Sequence, residues 1–230
     1  MVNPQYSLVI PVYNEEESLR ELLSETLEAM TGYTPYEIIF VDDCSSDQSP
    51  QIFKNFSQSF PQIVRVIRLN ERSGQTFALR RGIEEAQGDI IITLDADLQN
   101  HPADIPRLLE KINEGYDCAC GWRKARQDTL LKAGLSKFGN LLQRLLTGLK
   151  IHDVSCTLRA YRKESLRKIN LTWEGQHRFI PLMLTLQGCR AGEIISNHRK
   201  RKYGVTKYSH RRIFRVVSDF SKIIKSRGQA

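Results

Sequence analysis

Paired carboxylates follow one of the hydrophobic runs in this chain. Asp95 and Asp97, separated by the small residue Ala96, come directly after the run at 90–94, and Gln99 lies two positions further on. Carboxylate and amide oxygens are the hard ligands that Mg²⁺ and Mn²⁺ prefer, and phosphate oxygens commonly complete the coordination shell. The spacing therefore predicts a site for a divalent metal and a phosphate group at this point of the chain.

Two other hydrophobic runs also end in polar residues. The segments are Pro-Val-Tyr-Asn-Glu at 11–15 and Val-Asp-Asp-Cys-Ser-Ser-Asp at 41–47. An aspartate at the end of a strand commonly only makes a turn or caps a helix. Ligands of open parallel sheets, however, bind outside the carboxyl ends of the strands. Three such ends in one sequence therefore favour a functional site over three unrelated turns.

The elements that must position these residues alternate along the first half of the chain. The pattern predicts helices at 16–30, 77–86 and 105–112. Beyond Gly121 it predicts helices at 129–149 and 179–187 and strands at 157–161 and 193–197. Strands are predicted at 7–12, 36–41, 64–69, 89–94 and 116–121. An alternation of strand and helix indicates a mostly parallel sheet covered by helices, hence an α/β fold.

Length and composition bound the class of protein. With 230 residues, 40% hydrophobic and 26% charged, the chain has the composition of one globular domain, which excludes disordered and fibrous classes. Its five cysteines are odd in number and form no CxxC pair, which favours a reduced, cytosolic setting. We recognise no secretion signal and no apolar stretch of the roughly 20 residues that cross a bilayer.

Taken together, the segments 11–15, 41–47 and 94–102 resemble the family 2 glycosyltransferases with the GT-A fold. Within that family they are most similar to the polyprenyl-phosphate sugar transferases of the dolichyl-phosphate mannose synthase type, over about residues 7–208. The resemblance implies an inverting enzyme that moves a hexose from a nucleotide-diphosphate sugar to a dolichyl or undecaprenyl phosphate. GDP-mannose is the expected first choice of donor, with UDP-glucose or another UDP-sugar next.

The resemblance also implies roles for particular residues. A nucleotide pocket is expected from Pro11, Tyr13, Glu15, Val41 and Asp43, with Asp43 hydrogen-bonding the base. The diphosphate and its Mg²⁺ or Mn²⁺ are expected on Asp95, Ala96, Asp97 and Gln99, with Asp95, Asp97 and Gln99 as metal ligands. The chain departs from the family pattern at the rim of the pocket, with Cys44 for the usual Gly and Gln48-Ser49 for Gly-Thr.

Cations are needed beside the metal, because a nucleotide diphosphate and a lipid phosphate bring several negative charges together. The segment 201–207, Arg-Lys-Tyr-Gly-Val-Thr-Lys, resembles the family's Arg-x-x-Gly-x-Ser-Lys motif. By this resemblance Arg123, Arg201 and Lys207 contact phosphates. The expected catalytic residues are Asp97, Arg123 and Arg201, and the expected lipid-side residues are Lys132 and Ser136.

The acceptor decides whether a general base is required. A phosphate monoester has a second pKa near 6 and is already an anionic nucleophile at neutral pH, whereas a sugar hydroxyl must lose a proton as it attacks. Beyond Asp97, only Asp153 and Glu174 are weak candidates for a base. The sequence therefore favours a phosphate acceptor and one in-line displacement with inversion. A sugar hydroxyl acceptor remains the alternative.

The segment 152–161 resembles a further family signature, with Thr157 for Gly, and is given a structural role.

Positive charge is concentrated at the C-terminus. The net charge is +8; residues 190–230 hold twelve Lys and Arg against Glu193 and Asp219, a net of +10, which leaves −2 for residues 1–189. At helical spacing, 211–226 has a basic face and an apolar face, which suits either an anionic membrane surface or packing on the domain's own core.

The predicted organisation is a GT-A domain at 1–209 and a basic amphipathic helix at 210–230. The expected location is the cytoplasmic face of a membrane, held peripherally by the bilayer surface or a separate membrane subunit. A non-catalytic nucleic-acid-binding module built on the basic tail is the alternative of another class. On the glycosyltransferase interpretation no nucleic-acid partner is expected. A phosphoacceptor receiver domain is excluded, because the chain is nearly twice as long as one such domain.

Overall fold

Seven strands, six α-helices and two short 3₁₀ helices, Pro102–Asp104 and Gln176–Phe179, position the site in the computed structural model, which describes residues 3–124, 151–203 and residue 223. The strands are β1 Tyr6–Val12, β2 Tyr36–Asp42, β3 Val64–Arg68, β4 Ile90–Thr93, β5 Cys118–Trp122, β6 Arg159–Arg162 and β7 Ala191–Ile195. The α-helices are α1 Leu19–Ala29, α2 Ser49–Ser59, α3 Gln75–Glu85, α4 Ile105–Asn113, α5 Lys163–Leu166 and α6 Ile180–Leu186.

All the described strands form one sheet, in the order β3-β2-β1-β4-β6-β5-β7. The strands β3, β2, β1 and β4 pair with one another in parallel, β6 is antiparallel to both β4 and β5, and β7 is parallel to β5. The predicted α/β fold with a mostly parallel sheet is confirmed. Because β1 pairs Val12 with Asp42 of β2 and Val9 with Thr93 of β4, the three strands end at the same edge of the sheet.

Helices cover both faces of this sheet, which is why the central strands are hydrophobic on both sides. In β1, Leu8 and Ile10 belong to one buried cluster, whereas Val9 between them belongs to the other. Helix α2, which the sequence analysis did not predict, begins at Ser49 with a proline in its first turn. It packs Phe53 and Phe56 on Phe40 of β2, with ring centroids 5.4 and 5.7 Å apart.

Several predictions concern residues outside the described part of the chain. These are the helix at 129–149, Lys132, Ser136, Lys207 and all of the segment 211–226 except Ile223. The Ile223 side chain is 3% exposed and belongs to the buried cluster that contains Leu166 and Leu171. At this position the apolar side chain therefore contacts the domain's own core. No helix within the described residues is both long and apolar enough to cross a bilayer.

Candidate active site

Sharp turns follow the three parallel strands that end together. One non-glycine residue in each turn has a positive φ: Asn14 at 52° after β1, Cys44 at 62° after β2 and Leu98 at 59° after β4. Glycine adopts this left-handed conformation without a steric cost, whereas a residue with a Cβ does not. The backbone at Cys44 therefore has a conformation that favours glycine over cysteine.

Asp95 and Asp97 lie in the turn after β4. Asp97 is 9% exposed, and Asp95 is partly buried with its Oδ1 2.7 Å from Gln75 Nε2. Burial, and secondly the negative charge of Asp97, raise the pKa of Asp95 to about 6. Two carboxylates that repel each other in a buried turn have the chemistry of a divalent-cation site. Within the described ranges no group of three or more His, Cys, Asp and Glu gathers around a common point.

Arg201 connects the acidic turn with the end of β1. Its Nη2 lies 2.6 Å from Asp97 Oδ2, and its Nη1 lies 3.9 Å from Glu15 Oε1. Its side chain is 17% exposed, so this cation is largely withdrawn from solvent. The structure thus brings together three residues that were predicted from separate motifs.

Arg123, just after β5, forms a bidentate ion pair with Asp153. Arg123 Nε lies 2.7 Å from Asp153 Oδ2, and Arg123 Nη2 lies 3.0 Å from Asp153 Oδ1. The same Nη2 also donates to Ser155 Oγ at 2.7 Å. Two parallel hydrogen bonds hold the guanidinium in a fixed orientation. Its positive charge acts on Asp95, where it lowers the pKa against the larger effect of burial.

Beside Asp95 lies a small cavity whose lining includes Gln75, Thr157, Arg159 and His177. Arg159 is 2% exposed and donates to the backbone carbonyls of His177 and Arg178 at 2.9 and 3.1 Å. The sequence analysis gave the segment 152–161 only a structural role, yet Thr157 and Arg159 contribute to the same cavity as Asp95. The sequence signal for this role was Arg159 itself, a charged residue inside a strand-like run. An arginine is rarely buried without polar partners, so its position in a predicted strand indicates a polar site within the core.

Asp43 is buried at the end of β2 and holds the loop before α3. Its Oδ1 accepts from Ser73 N at 2.7 Å, and its Oδ2 accepts from Gly74 N at 2.9 Å. Each carboxylate oxygen retains a second lone pair, which leaves an acceptor site for the expected hydrogen bond with a nucleotide base. That contact stays a prediction. Nearby, the Arg72 guanidinium lies 4.0 Å above the ring centroid of Tyr13.

The remaining predicted residues make backbone contacts, and Pro11 also lines the cavity beside Asp95. Pro11 and Val41 are register partners near the ends of β1 and β2. The Ala96 carbonyl accepts from Ser18 Oγ at 2.6 Å. Gln99 N donates to Asp97 Oδ1 at 3.2 Å, and the Gln99 carbonyl accepts from Arg199 N at 2.8 Å. These bonds fix the shape of the acidic turn.

The sheet order and the acidic turn at its carboxyl edge define a GT-A architecture, which solved structures share. One is a mannosyltransferase from Pyrobaculum calidifontis in complex with GDP-Man and Mn²⁺, with a TM-score of 0.70, 20% identity, and coverage of 98% of this chain and 65% of that chain. Another is glucosyl-3-phosphoglycerate synthase from Mycobacterium tuberculosis in complex with Mn²⁺, UDP-Glc and phosphoglyceric acid, with a TM-score of 0.70, 16% identity, and coverage of 97% and 79%. At these identities the likeness shows the fold.

The chain belongs to glycosyl transferase family 2, whose family model matches residues 7–170. Curated relatives include the undecaprenyl-phosphate 4-deoxy-4-formamido-L-arabinose transferases of Salmonella choleraesuis (strain SC-B67) and Salmonella newport (strain SL254). Each is 41% identical over 214 residues, which is 93% of this chain. The chain spans 65% of the length of these relatives. The family predicted from the motifs is confirmed.

Proposed function

We propose that the protein is an inverting glycosyltransferase that moves a sugar from a nucleotide-diphosphate sugar to a polyprenyl phosphate. The observation that carries the proposal is the pair Asp95 and Asp97 at the carboxyl edge of the sheet, with Arg201 on Asp97. Acids for a metal beside a cation for phosphates are what a departing nucleoside diphosphate requires. Membership of glycosyl transferase family 2 supports the same reaction class.

A phosphate acceptor is favoured because both candidate bases in the described residues have other partners. Asp153 accepts two hydrogen bonds from Arg123. Glu174 Oε2 accepts from the backbone N–H of Thr76 at 2.9 Å, in the first turn of α3. A phosphate monoester attacks as an anion and needs no base. The arrangement therefore supports a phosphate acceptor over a sugar hydroxyl.

Mg²⁺ or Mn²⁺ fits this site, and Asp95, Asp97 and Gln99 are the residues that would hold it. When bound, such an ion supplies positive charge to the leaving diphosphate. Arg201, within reach of both Asp97 and Glu15, is the residue that would donate to phosphate oxygens on the same side. Arg123 contributes a fixed positive charge near Asp95. Together with Arg201 it favours the binding of the anionic groups of donor and acceptor.

The acceptor that we propose is undecaprenyl phosphate, since relatives at 41% identity carry that lipid in their names. For the donor, a nucleotide-linked 4-deoxy-4-formamido-L-arabinose joins GDP-mannose and the UDP-sugars as a candidate. A lipid phosphate is presented at a membrane, so we place the protein peripherally on the cytoplasmic face. The net charge of +10 over residues 190–230 supports contact with an anionic surface.

The test is a panel of nucleotide sugars with short-chain undecaprenyl phosphate or the corresponding polyprenol as acceptor. We expect one donor to give a glycosylated lipid phosphate, no product with the alcohol, loss of activity in EDTA and recovery with Mn²⁺ or Mg²⁺. Transfer to the alcohol would support a hydroxyl acceptor instead. No transfer from any donor, combined with steeply salt-dependent binding of DNA or RNA, would favour the nucleic-acid-binding alternative.

A further inference from the structure

Three consecutive residues before and at the start of α3 connect the two acidic turns of the site. Ser73 N and Gly74 N donate to the two oxygens of Asp43, at 2.7 and 2.9 Å. The side chain of the next residue, Gln75, reaches the other turn, where Nε2 lies 2.7 Å from Asp95 Oδ1. The turn after β2 and the turn after β4 are thus joined through residues 73–75.

The same segment is anchored from its other side by the loop at 174–177. Thr76 N donates to Glu174 Oε2 at 2.9 Å, and Thr76 Oγ1 lies 2.6 Å from His177 Nδ1. Gly175 N donates to Thr76 Oγ1 at 2.8 Å. The first turn of α3 is therefore held in place by side chains, so Gln75 projects from a fixed backbone.

The hydrogen bond between Gln75 and Asp95 has a defined direction. An ionised carboxylate only accepts, so the amide nitrogen of Gln75 must face Asp95 and donate. Hydrogen bonds to a charged acceptor are stronger than those between neutral groups. The bond from Gln75 uses Oδ1, and the Thr157 side chain also hydrogen-bonds to the Asp95 carboxylate.

We propose that Gln75 is a positioning residue, which orients the Asp95 carboxylate for the divalent cation and the diphosphate of the donor. The inference rests on the proposed function, because it assigns Asp95 to donor binding. Gln75 lies twenty residues before Asp95 and in a different element, and it acts on the ligand through Asp95. A residue that orients a metal ligand changes the affinity for the metal more than the stability of the fold.

The test compares variants that keep the volume of Gln75 but remove its donor. Gln75→Met removes the amide without adding charge, and Gln75→Glu places a second acceptor beside Asp95. Gln51→Met, on the exposed side of α2, is the matched control. Isothermal titration calorimetry measures GDP and UDP binding with Mn²⁺ and in EDTA, and thermal unfolding reports the stability of each variant.

We expect Mn²⁺-dependent binding of the nucleoside diphosphate to weaken about tenfold in Gln75→Met and further in Gln75→Glu. Binding in EDTA, and all binding by Gln51→Met, should stay within about twofold of the wild type. In the transfer assay, saturating Mn²⁺ should restore most of the kcat of Gln75→Met, because the defect lies in affinity. A merely structural role would lower kcat at every Mn²⁺ concentration.

The outcomes separate this inference from the proposed function. If the wild type binds neither GDP nor UDP with Mn²⁺, the proposed function fails. If the wild type binds and Gln75→Met matches it, the positioning role is wrong. If Gln75→Met unfolds, the binding by Gln75→Glu decides the question. An affinity of Gln75→Glu for the nucleoside diphosphate with Mn²⁺ equal to that of the wild type would overturn the inference. A loss confined to Mn²⁺-dependent binding would support it.

Discussion

Arg201 Nη2 lies 2.6 Å from Asp97 Oδ2, on the carboxylate that the proposed reaction assigns to a metal ion. The next residue, Lys202, pairs with Glu21 of α1 at 2.7 Å. The segment that carries Arg201 is therefore tied to the first helix as well as to the acidic turn. An arginine side chain stays protonated at all working pH values, so it competes with any other cation for the same oxygen.

Arg201→Ala should bind Mn²⁺ alone roughly fivefold more tightly than the wild type, which corresponds to about 1 kcal/mol for the lost competing ion pair. The same variant should transfer sugar more slowly, because a phosphate-binding cation is gone. Lys200→Ala, which removes a neighbouring exposed cation, is the control and should change neither value. Unaltered Mn²⁺ affinity in Arg201→Ala would show that the guanidinium does not compete with the metal.

Asp97→Ala should lose at least about 100-fold in metal-dependent transfer, since a metal contributes several kcal/mol to stabilising the leaving group. Asp97→Asn should behave similarly, because the amide keeps the shape but removes the charge. Glu110→Ala, on the exposed side of α4, serves as the control in the same assay. Full activity of Asp97→Ala in purified protein would remove this residue from the site.

Gly74→Ala should destabilise the fold more than Gly32→Ala does. Both glycines have a positive φ, 96° and 88°, and Gly74 combines it with a ψ of 164°, a backbone region that is essentially restricted to glycine. A Cβ at Gly74 would lie 2.6 Å from Glu174 Oε2, whereas a Cβ at Gly32 would meet nothing within 4 Å. Moving Glu174 also breaks its bond to Thr76 N, so the difference should be at least about 1 kcal/mol in the free energy of unfolding. Equal losses in chemical denaturation would mean that neither the backbone at Gly74 nor the displacement of Glu174 adds a cost.

Cys44→Gly should stabilise the protein by about 1 kcal/mol, because φ is 62° and glycine relieves the left-handed strain. Cys44→Ala, which keeps a Cβ, should give no such gain and separates backbone strain from loss of the thiol. Urea unfolding of both variants measures the effect. A gain of the same size in Cys44→Ala would place the effect in the side chain.

Under native conditions a soluble thiol reagent should label one cysteine, Cys44. All five cysteines are free, and Cys44 is the one that is not buried. Burial raises the pKa of the Cys156 thiol to about 11, which leaves little reactive thiolate at neutral pH. Mass spectrometry should find one modified site before denaturation and five after it. Rapid native labelling of Cys118 or Cys189 would show that the core opens readily.

The sequence predicted those features that depend on neighbouring residues. The runs at 7–12, 36–41 and 89–94 are strands within a residue or two, because a buried parallel strand is hydrophobic on both faces. The meeting of their ends followed from the parallel arrangement, and Arg201 lies there within 3.9 Å of Glu15 and 2.6 Å of Asp97.

Features that depend on pairing partners were beyond the sequence. A four-residue strand at 159–162 carries no sign of its direction, so the antiparallel position of β6 between β4 and β5 was not predicted. Gln75 and Arg159 were missed for the same reason. Gln75 begins a helix and Arg159 begins a strand, and only the tertiary fold places them beside Asp95.

The position of β6 has a consequence for how the chain is made. Strands β4 and β5 are synthesised before the strand that lies between them, since β5 ends at Trp122 and β6 begins at Arg159. At ribosomal rates of about 5–20 residues per second, roughly 2–7 s separate the two events. During that interval the facing edges of β4 and β5 lack their native partner, and unpaired edges are where chains aggregate. Slower translation between these two strands would therefore prolong the time in which the nascent protein is most exposed to misassembly.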